Sequence, residues 1–374
     1  MEIEEKKQDS KNESKLSQFL KKQNIEISAK RYFIDAMGAM AQGLFASLLI
    51  GTIVGTLGTQ LKLDFFVEMG NFAKGVAGPA MAVAIAYALK ASPLVLFSML
   101  AVGSAANTLG GAGGPLAVFF IAIISTELGK LVSKTTKIDI LVTPLVSIGS
   151  GFALAKLCAS AIGDAASSVG EIIKWATTQQ PFLMGIVVSV VVGIALTLPI
   201  SSAAICLALG LDGLAGGAAV AGCCAQMIGF AVMSYRENKV GGLVSQGLGT
   251  SMLQMGNIIK NPRIWIPPIL ASAITGPLAT CVFKLQMNGA PISSGMGTCG
   301  FVGQIGVITG WADNGWAAQI VKNESGEIIE SVAVNAVDWI GLGLICFILP
   351  AIISWAICLR LRKIKWIKEG DLKL

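Results

Sequence analysis

The sequence predicts an all-α polytopic membrane protein, because long stretches carry no charge and one of them contains a glycine-rich break. No charged residue occurs from Ala91 to Thr126, whereas one membrane-crossing helix needs only about 20 apolar residues. The middle of this run is interrupted by four glycines and a proline, at Gly110, Gly111, Gly113, Gly114 and Pro115. Glycine and proline both disfavour a continuous helix. We therefore expect two crossings joined at a backbone break, which must be buried in protein or line a hydrated cavity.

The composition agrees with a chain that lies mostly within a bilayer. Hydrophobic residues make up 54% of the chain and charged residues 13%, about half of the charged share of a soluble domain. At roughly 20 residues per crossing, the uncharged runs hold about ten transmembrane helices. We place these helices near residues 37–58, 73–90, 92–108, 114–132, 139–162, 180–207, 210–233, 241–258, 264–285 and 338–361. The apolar, glycine-rich segment 289–310 is left over and is predicted to be a re-entrant hairpin.

The placement of charge divides the chain into a membrane domain and two flanks. Residues 1–31 form a polar N-terminal tail that lacks the apolar core of a cleaved signal peptide. Residues 32–362 form the membrane domain, and residues 363–374 form a basic tail. Lys and Arg residues flank the membrane domain at both ends, while segment 313–338 is acidic. By the positive-inside rule we expect both termini in the cytoplasm, the acidic segment outside and an even number of crossings.

The membrane domain contains hints of an internal duplication, with halves at residues 36–163 and 175–311 and a final helix at 338–361. The segments Lys137–Pro144 and Arg263–Pro268 share a similar pattern of residues. Transporters commonly carry two such repeats with the binding site between them. The alternative is chance similarity among helices rich in glycine, alanine and leucine. The direction of the repeats also stays open.

Several kinds of chemistry are excluded by the residues that the sequence lacks. The chain has no His, which excludes histidine acid–base chemistry, a phosphohistidine and a Ser-His-Asp triad. The eight Cys residues form no CxxC pair, so we expect no metal site. Nucleotide-binding and hydrolase motifs are also absent from the sequence. We expect neither a catalytic residue nor a cofactor on this chain. The net charge of +6 reports membrane topology rather than nucleic-acid binding.

Amides and hydroxyls cluster near the predicted helix breaks and are the candidate ligand-binding groups. The candidate side chains are Asn107, Ser201, Ser202, Gln226, Gln254, Thr298 and Gln304. The breaks that would free backbone groups are at Gly110, Gly111, Gly113, Gly114, Pro199, Gly295, Gly297 and Gly300. A neutral, hydroxyl-rich solute such as a sugar or polyol needs paired donors and acceptors without a net charge. The alternative is that these side chains only form hydrogen bonds between helices.

Two carboxylates border long uncharged runs and are candidates for an ion or proton site. Glu127 ends the run that begins at Ala91, and Asp212 lies between two further runs. Ionisable residues inside a membrane are usually functional. Both carboxylates also lie near predicted helix ends, where interfacial solvation alone would accommodate them.

Six segments in a fixed order carry a resemblance to a known family. They are 75–80 (GVAGPA), 110–117 (GGAGGPLA), 137–144 (KIDILVTP), 198–205 (LPISSAAI), 221–226 (AGCCAQ) and 295–300 (GMGTCG). Through these segments the chain resembles the IIC membrane subunits of the bacterial phosphoenolpyruvate:sugar phosphotransferase system, over nearly its whole length. The most similar branch is the stand-alone IIC-like group that includes the perfringolysin regulator-type membrane proteins.

The resemblance implies a homodimeric protein of the bacterial cytoplasmic membrane that binds and translocates a sugar or polyol. Phosphoryl groups would come from separate IIA and IIB proteins. Two alternatives stay open. One is a membrane-embedded ligand sensor that regulates gene expression through its tails. The other is a carrier coupled to ions or protons through Glu127 or Asp212.

Overall fold

The computed structural model describes residues 15–322 and 328–374. In chain order the helices are α1 (Lys15–Lys22), α2 (Arg31–Leu61), α3 (Asp64–Gly75), α4 (Ala77–Ala88), α5 (Pro93–Gly110), α6 (Gly114–Val132), α7 (Asp139–Thr177), α8 (Pro181–Thr197), α9 (Ser202–Ala208), α10 (Gly213–Met233), α11 (Tyr235–Val244), α12 (Met255–Lys260), α13 (Pro262–Val282), α14 (Val302–Asp313) and α15 (Ala336–Lys363). Two strands, β1 (Ala317–Lys322) and β2 (Ile328–Ala333), connect α14 to α15.

Six helical segments within the described residues are long and apolar enough to cross a membrane. They are α2, the α5–α6 pair taken as one segment, α7, α10, α13 and α15. Two shorter helices, α4 and α8, are also apolar. The prediction of a multi-pass, predominantly helical membrane protein is confirmed. The predicted count of ten crossings is not confirmed, and the internal duplication stays a prediction.

The predicted break in the longest uncharged run is present and is buried in protein. α5 ends at Gly110 and α6 begins at Gly114, after a turn in which Gly111 has a φ of 51°. α5 and α6 pack against each other. A methyl group at Gly113 would lie 2.7 Å from the carbonyl oxygen of Ile162, so the turn is held tightly against α7. The irregular backbone therefore lies inside the protein, as the membrane environment requires.

α2 is paired with α3, which returns alongside it. The chain reverses at Lys62, which has a positive φ of 55°. A methyl group at Gly51 would lie 2.7 Å from the carbonyl oxygen of Gly70, so the two backbones touch where no side chain intervenes. One helix was predicted at 73–90, but the structure has two helices in this region. α3 begins before residue 73, and an interruption at Val76 separates α3 from α4. The uncharged runs do not predict α3, because this helix carries Asp64, Glu68 and Lys74.

Two further helices predicted as continuous are divided. The helix predicted at 180–207 is separated into α8 and α9, where Pro199 lacks a backbone donor. The helix predicted at 241–258 is separated into α11 and α12, because Thr250 has an extended backbone with a φ of −159°. The interruption at Pro199 places the N-terminus of α9 inside the protein.

α8, α10 and α13 form a closely packed group, and α15 packs against α10 and α13. α10 is almost entirely buried. A side chain at Gly222 would overlap the carbonyl oxygen of Ser189, and one at Gly276 would overlap that of Gly185. The small residues of these helices therefore allow direct contact between backbones.

The glycine-rich segment 289–310 enters the protein interior, as predicted for a re-entrant hairpin. Short turns at Pro291–Gly295 and Cys299–Phe301 precede α14. Gly297 has a φ of 53°, and a methyl group there would lie 2.6 Å from the Cβ of Cys223 on α10. Gly297 thus combines a left-handed backbone with close contact to α10. The return of the segment to the same side of the membrane stays a prediction.

A small β-hairpin departs from the all-α prediction. β1 and β2 pair antiparallel, with Ile320 opposite Ser331. The strands lie within the acidic segment 313–338, and β2 is exposed along its whole length. Both strands contain β-branched residues, which favour extended structure.

Candidate functional site

A cleft with a volume of 440 Å³ opens between α2, α3, α9 and residues 290–309. This volume lies within the range of small-molecule sites, about 300–1,000 Å³. The walls are mostly apolar and carry polar side chains at Thr52, Thr56, Thr59, Gln60, Asn71, Lys74, Ser201, Ser293 and Thr309. An apolar cleft with a few converging polar groups is the usual form of a ligand site. We call this cleft the chamber.

One wall of the chamber is a polar face of α2. Thr52, Thr56 and Thr59 follow one another at about one helical turn. The Thr52 hydroxyl donates to the carbonyl oxygen of Leu48 at 2.7 Å, and the Thr59 hydroxyl donates to that of Gly55 at 3.0 Å. Thr56 forms no hydrogen bond with its side chain among the residues that the structure describes. Its hydroxyl is therefore free to donate to a solute.

The opposite wall is built where α9 meets the segment before α14. The Ser202 hydroxyl donates to the carbonyl oxygen of Gly295 at 2.7 Å and fastens these two elements together. The Ser201 hydroxyl caps α9 by accepting a hydrogen bond from the Ala204 amide at 3.2 Å. Ser293 adds a hydroxyl to the lining. Among the residues predicted to bind ligand, Ser201 thus lines the chamber, and Ser202 and Gly295 support its wall.

Lys74 brings an ammonium group to the third wall, on α3, and the sequence analysis missed it. A methyl group at Gly55 would lie 3.8 Å from Lys74 Nζ, so the ammonium lies against bare backbone of α2. Within the described residues, neither Lys74 nor its neighbour Asn71 forms an ion pair or a side-chain hydrogen bond. In the sequence, Lys74 immediately precedes the uncharged run 75–89 and therefore marks its boundary. Its position between the runs 36–61 and 75–89 was the signal that could have identified it.

Gln226 lies in a buried network outside the chamber. Its Oε1 accepts a hydrogen bond from Trp265 Nε1 at 2.8 Å and one from the Thr197 hydroxyl at 3.3 Å. Its Nε2 donates to the Ser272 hydroxyl at 3.4 Å. The Thr197 and Ser251 hydroxyls are 2.8 Å apart, and the Gln226 side chain is fully buried. The network joins α8, α10 and α13. This is the arrangement expected if the polar side chains form hydrogen bonds between helices instead of binding a ligand.

The Gln254 side chain forms hydrogen bonds with the α11–α12 region and with the C-terminal segment. Its Nε2 donates to Gln246 Oε1 and to the carbonyl oxygen of Leu372, both at 2.9 Å. Its Oε1 accepts from Asn257 Nδ2 at 2.8 Å. Gln254 and Leu372 are both fully buried. Part of segment 363–374, which was predicted to be a basic tail, is therefore folded against the membrane domain beside α11 and α12.

Thr298 and Gln304 face α10 and the α11–α12 connection rather than the chamber. The Thr298 hydroxyl donates to the carbonyl oxygen of Gly247 at 2.5 Å. Gln304 Nε2 donates to Cys224 Sγ at 3.2 Å, while its buried Oε1 has no hydrogen-bond partner among the described residues. A side chain at the nearby Gly300 would overlap Ile53 of α2.

Asn107 lies beside the turn between α5 and α6, in contact with Gly114. This turn contains the predicted breaks Gly110, Gly111, Gly113 and Gly114. The Ser201 amide donates to the carbonyl oxygen of Ala112 at 2.9 Å, so the turn is linked to the connection between α8 and α9 that contains Pro199. The turn supports a wall of the chamber without lining it.

The two candidate carboxylates have different surroundings. Glu127 forms an ion pair of 2.9 Å with the buried Lys130. Lys130 Nζ also donates to the carbonyl oxygens of Asn24 and Leu89, at 2.7 and 3.0 Å. Glu127 therefore neutralises a lysine that connects α6 to two loops. Asp212 is exposed and immediately precedes α10, as interfacial solvation at a helix end would expect.

The sequence matches a known protein family. Residues 34–374 match the family described as phosphotransferase system, EIIC. No curated protein and no solved structure matches the chain. The family match covers well over half of the chain and confirms the predicted resemblance. The chain therefore belongs to the EIIC family of the phosphotransferase system.

Proposed function

We propose that the protein is a permease that binds a small hydroxylated solute, of the sugar or polyol class, in the chamber and moves it across the bilayer. The family match and the apolar helices support a multi-pass membrane permease of the phosphotransferase type. The observation that carries the finer proposal is the chamber, whose polar groups lie on elements of the membrane domain. Alternating exposure of such a site is the general mode of secondary transport.

The polar lining matches the chemistry of a polyol, whose hydroxyls both donate and accept. The Thr56 hydroxyl has no acceptor within residues 15–322 and 328–374, whereas the Thr52 and Thr59 hydroxyls donate to backbone carbonyls. The oxygens of Thr52 and Thr59 can still accept. The amide of Asn71 supplies both a donor and an acceptor. Together these groups complement adjacent sugar hydroxyls.

The remaining parts of the proposal follow from the family. The chain has no His, so phosphoryl groups would be carried by separate IIA and IIB proteins. We further propose a homodimer in the bacterial cytoplasmic membrane. Both termini would face the cytoplasm, with residues 1–31 as the N-terminal flank and residues 32–362 as the membrane domain.

Ligand screening on the purified protein tests the proposal. A solute that binds the folded state raises the midpoint of thermal unfolding, so sugars, polyols and sugar acids are screened first. For the strongest ligand, Thr56→Val should weaken binding by about 1 kcal/mol, or roughly fivefold. Thr108→Val is the matched control, since Thr108 is exposed on α5 outside the chamber. Equal affinity of both variants and the wild type would reject the chamber as the binding site.

A ligand sensor is the second candidate, and one observation favours it. The docking of Leu372 on Gln254 gives the membrane domain a contact through which helix movements could change the C-terminal segment. Deletion of residues 1–25 separates a transporter from a sensor that signals through the N-terminal tail, because a transporter keeps uptake while such a sensor loses its output.

The ion-coupled carrier is tested by the dependence of uptake on ion gradients. Uptake that is independent of the pH and sodium gradients would reject it.

A further inference from the structure

We infer that the solute of the chamber carries one carboxylate, which binds the ammonium group of Lys74. This inference rests on the proposed permease function and names the substrate class more narrowly. It differs from the neutral solute that the amide and hydroxyl pattern predicted. The chamber would then take a sugar acid or a similar polyhydroxylated monocarboxylate.

Lys74 places its ammonium group inside the apolar part of the membrane domain. A methyl group at Gly55 would lie 3.8 Å from Lys74 Nζ, so the ammonium group is level with Gly55 on α2. Gly55 precedes Leu61, the last residue of α2, by six positions, which correspond to about 9 Å along a helix. With the end of α2 at the edge of the hydrocarbon core, the ammonium group lies well inside that core, where ionisable side chains are costly and usually functional.

Two largely buried cations of the membrane domain each have a carboxylate partner. Lys130 is paired with Glu127 at 2.9 Å, and Arg362 is paired with Glu237 at 2.6 Å. Lys74 has no ion-pair partner within the described residues, and the lining of the chamber contains no Asp or Glu. A cation without a carboxylate of its own is therefore available to an anionic solute.

The local backbone does not remove the need for a counter-ion. Lys74 lies in the last turn of α3, where the helix dipole contributes about half of one negative elementary charge. This partial charge offsets the ammonium only in part. The bare backbone of Gly55 faces Lys74 Nζ and supplies no side-chain acceptor.

The number of charges favours a carboxylate over a phosphate. A phosphate group carries nearly two charges and is usually held by several cations or backbone amides. The chamber lining contains one cation, Lys74, among the described residues, with Asn71 one helical turn away. One ammonium with a neighbouring amide matches a single carboxylate, while Thr56 and the other hydroxyls match the hydroxyl groups of the solute.

The test compares solutes that differ only in the acidic group. The pairs are gluconate with glucitol, glucuronate with glucose and galacturonate with galactose, and glucose 6-phosphate is added as a phosphate probe. Affinities for the full chain in lipid nanodiscs are measured by calorimetry for the wild type, Lys74→Met and Lys74→Arg. We expect the acid of at least one pair to bind at least tenfold more tightly than its neutral partner. Lys74→Met should remove this preference, and Lys74→Arg should retain most of it.

The possible results separate this inference from the proposed function. The inference would be overturned if the neutral solute of every pair bound as tightly as the corresponding acid, or if the preference for the acid survived in Lys74→Met. Neither result would contradict the proposed permease function. Tighter binding of glucose 6-phosphate than of every acid would overturn the carboxylate assignment. If no solute bound and none entered proteoliposomes, the proposed function would fall together with the inference.

A measurement without ligand keeps the test independent of the choice of solutes. Lys74→Met replaces a cation that has no ion-pair partner among the described residues with an apolar chain of similar length. If Lys74 is held in place for a solute, this variant should unfold at a higher temperature than the wild type in the absence of ligand. A clearly lower midpoint would mean that Lys74 has a structural partner, and would overturn the inference.

Discussion

The Gln254 amide and the Leu372 carbonyl lie 118 residues apart in sequence and are joined by a hydrogen bond of 2.9 Å. Asn238 Nδ2 donates to the same carbonyl at 2.7 Å. The C-terminal segment is thus recognised through its backbone by amide side chains from two places in the membrane domain. Buried backbone groups need such partners, so this contact contributes to the stability of the α11–α12 region.

Replacement of Gln254 should reduce stability rather than solute binding. Gln254→Ala leaves the buried groups of Gln246 and Asn257 without one of their partners, which costs about 1–3 kcal/mol. Thermal unfolding in detergent measures the change. Gln180→Ala is the control, because Gln180 is exposed. A loss of ligand affinity with unchanged stability would instead return Gln254 to the binding site.

The Gln226–Trp265 hydrogen bond should show energetic coupling. Gln226→Leu alone leaves the Trp265 indole N–H without its acceptor, so we expect a cost of about 1–3 kcal/mol. Trp265→Phe removes the donor as well, and the double variant should be less destabilised than the sum of the single variants. A double-mutant cycle based on unfolding midpoints measures this difference. Strict additivity would contradict a direct contact.

Glu127 should act as the partner of Lys130. Glu127→Gln leaves a buried ammonium without its counter-charge, which we expect to destabilise the protein by about 3 kcal/mol. Glu68→Gln, on the exposed face of α3, is the control and should change stability little. Unfolding midpoints compare the two variants. An unchanged midpoint for Glu127→Gln, together with a lost dependence of uptake on pH, would favour the proton-coupled alternative.

Gly297 and Gly315 separate the cost of backbone strain from that of crowding. Both have positive φ values, 53° and 69°. A methyl group at Gly315 would meet nothing within 4 Å, whereas one at Gly297 would lie 2.6 Å from the Cβ of Cys223. Gly315→Ala should therefore cost about 1 kcal/mol, for the left-handed backbone alone. Gly297→Ala should cost more than twice as much. Similar unfolding midpoints would contradict the close packing of Gly297 on α10.

Local sequence signals predicted the breaks in the chain but not the walls of the chamber. The Gly110–Gly114 turn was predictable, because glycine and proline act on their own neighbourhood. The contact between Ser202 and Gly295 joins segments 93 residues apart, and no local pattern specifies such a pair. The alignment of Lys74 with Gly55 likewise depends on how α2 and α3 pack.

The same dependence on tertiary packing applies to Gln226 and Gln254, whose side chains lie outside the chamber. Gln226 and Gln254 were recognised correctly as polar groups in apolar surroundings, but their partners Trp265 and Leu372 follow from the tertiary structure. A polar residue in a membrane domain needs a partner, and sequence alone does not decide between a solute and another side chain. Uncharged apolar runs do not predict β1 and β2, because both strands lie in the acidic segment 313–338 and β2 is exposed.

The contact of Gly51 with Gly70 also bears on how the chamber could open. Because these backbones are in direct contact, we expect α2 and α3 to move as one unit, so that the wall bearing Thr56 moves together with Lys74. The part that moves during a transport cycle would then be the opposite wall of the chamber, where Ser202 of α9 is hydrogen-bonded to Gly295. A cross-link between α2 and α3 should leave flux intact, whereas one from α2 to α9 should arrest it.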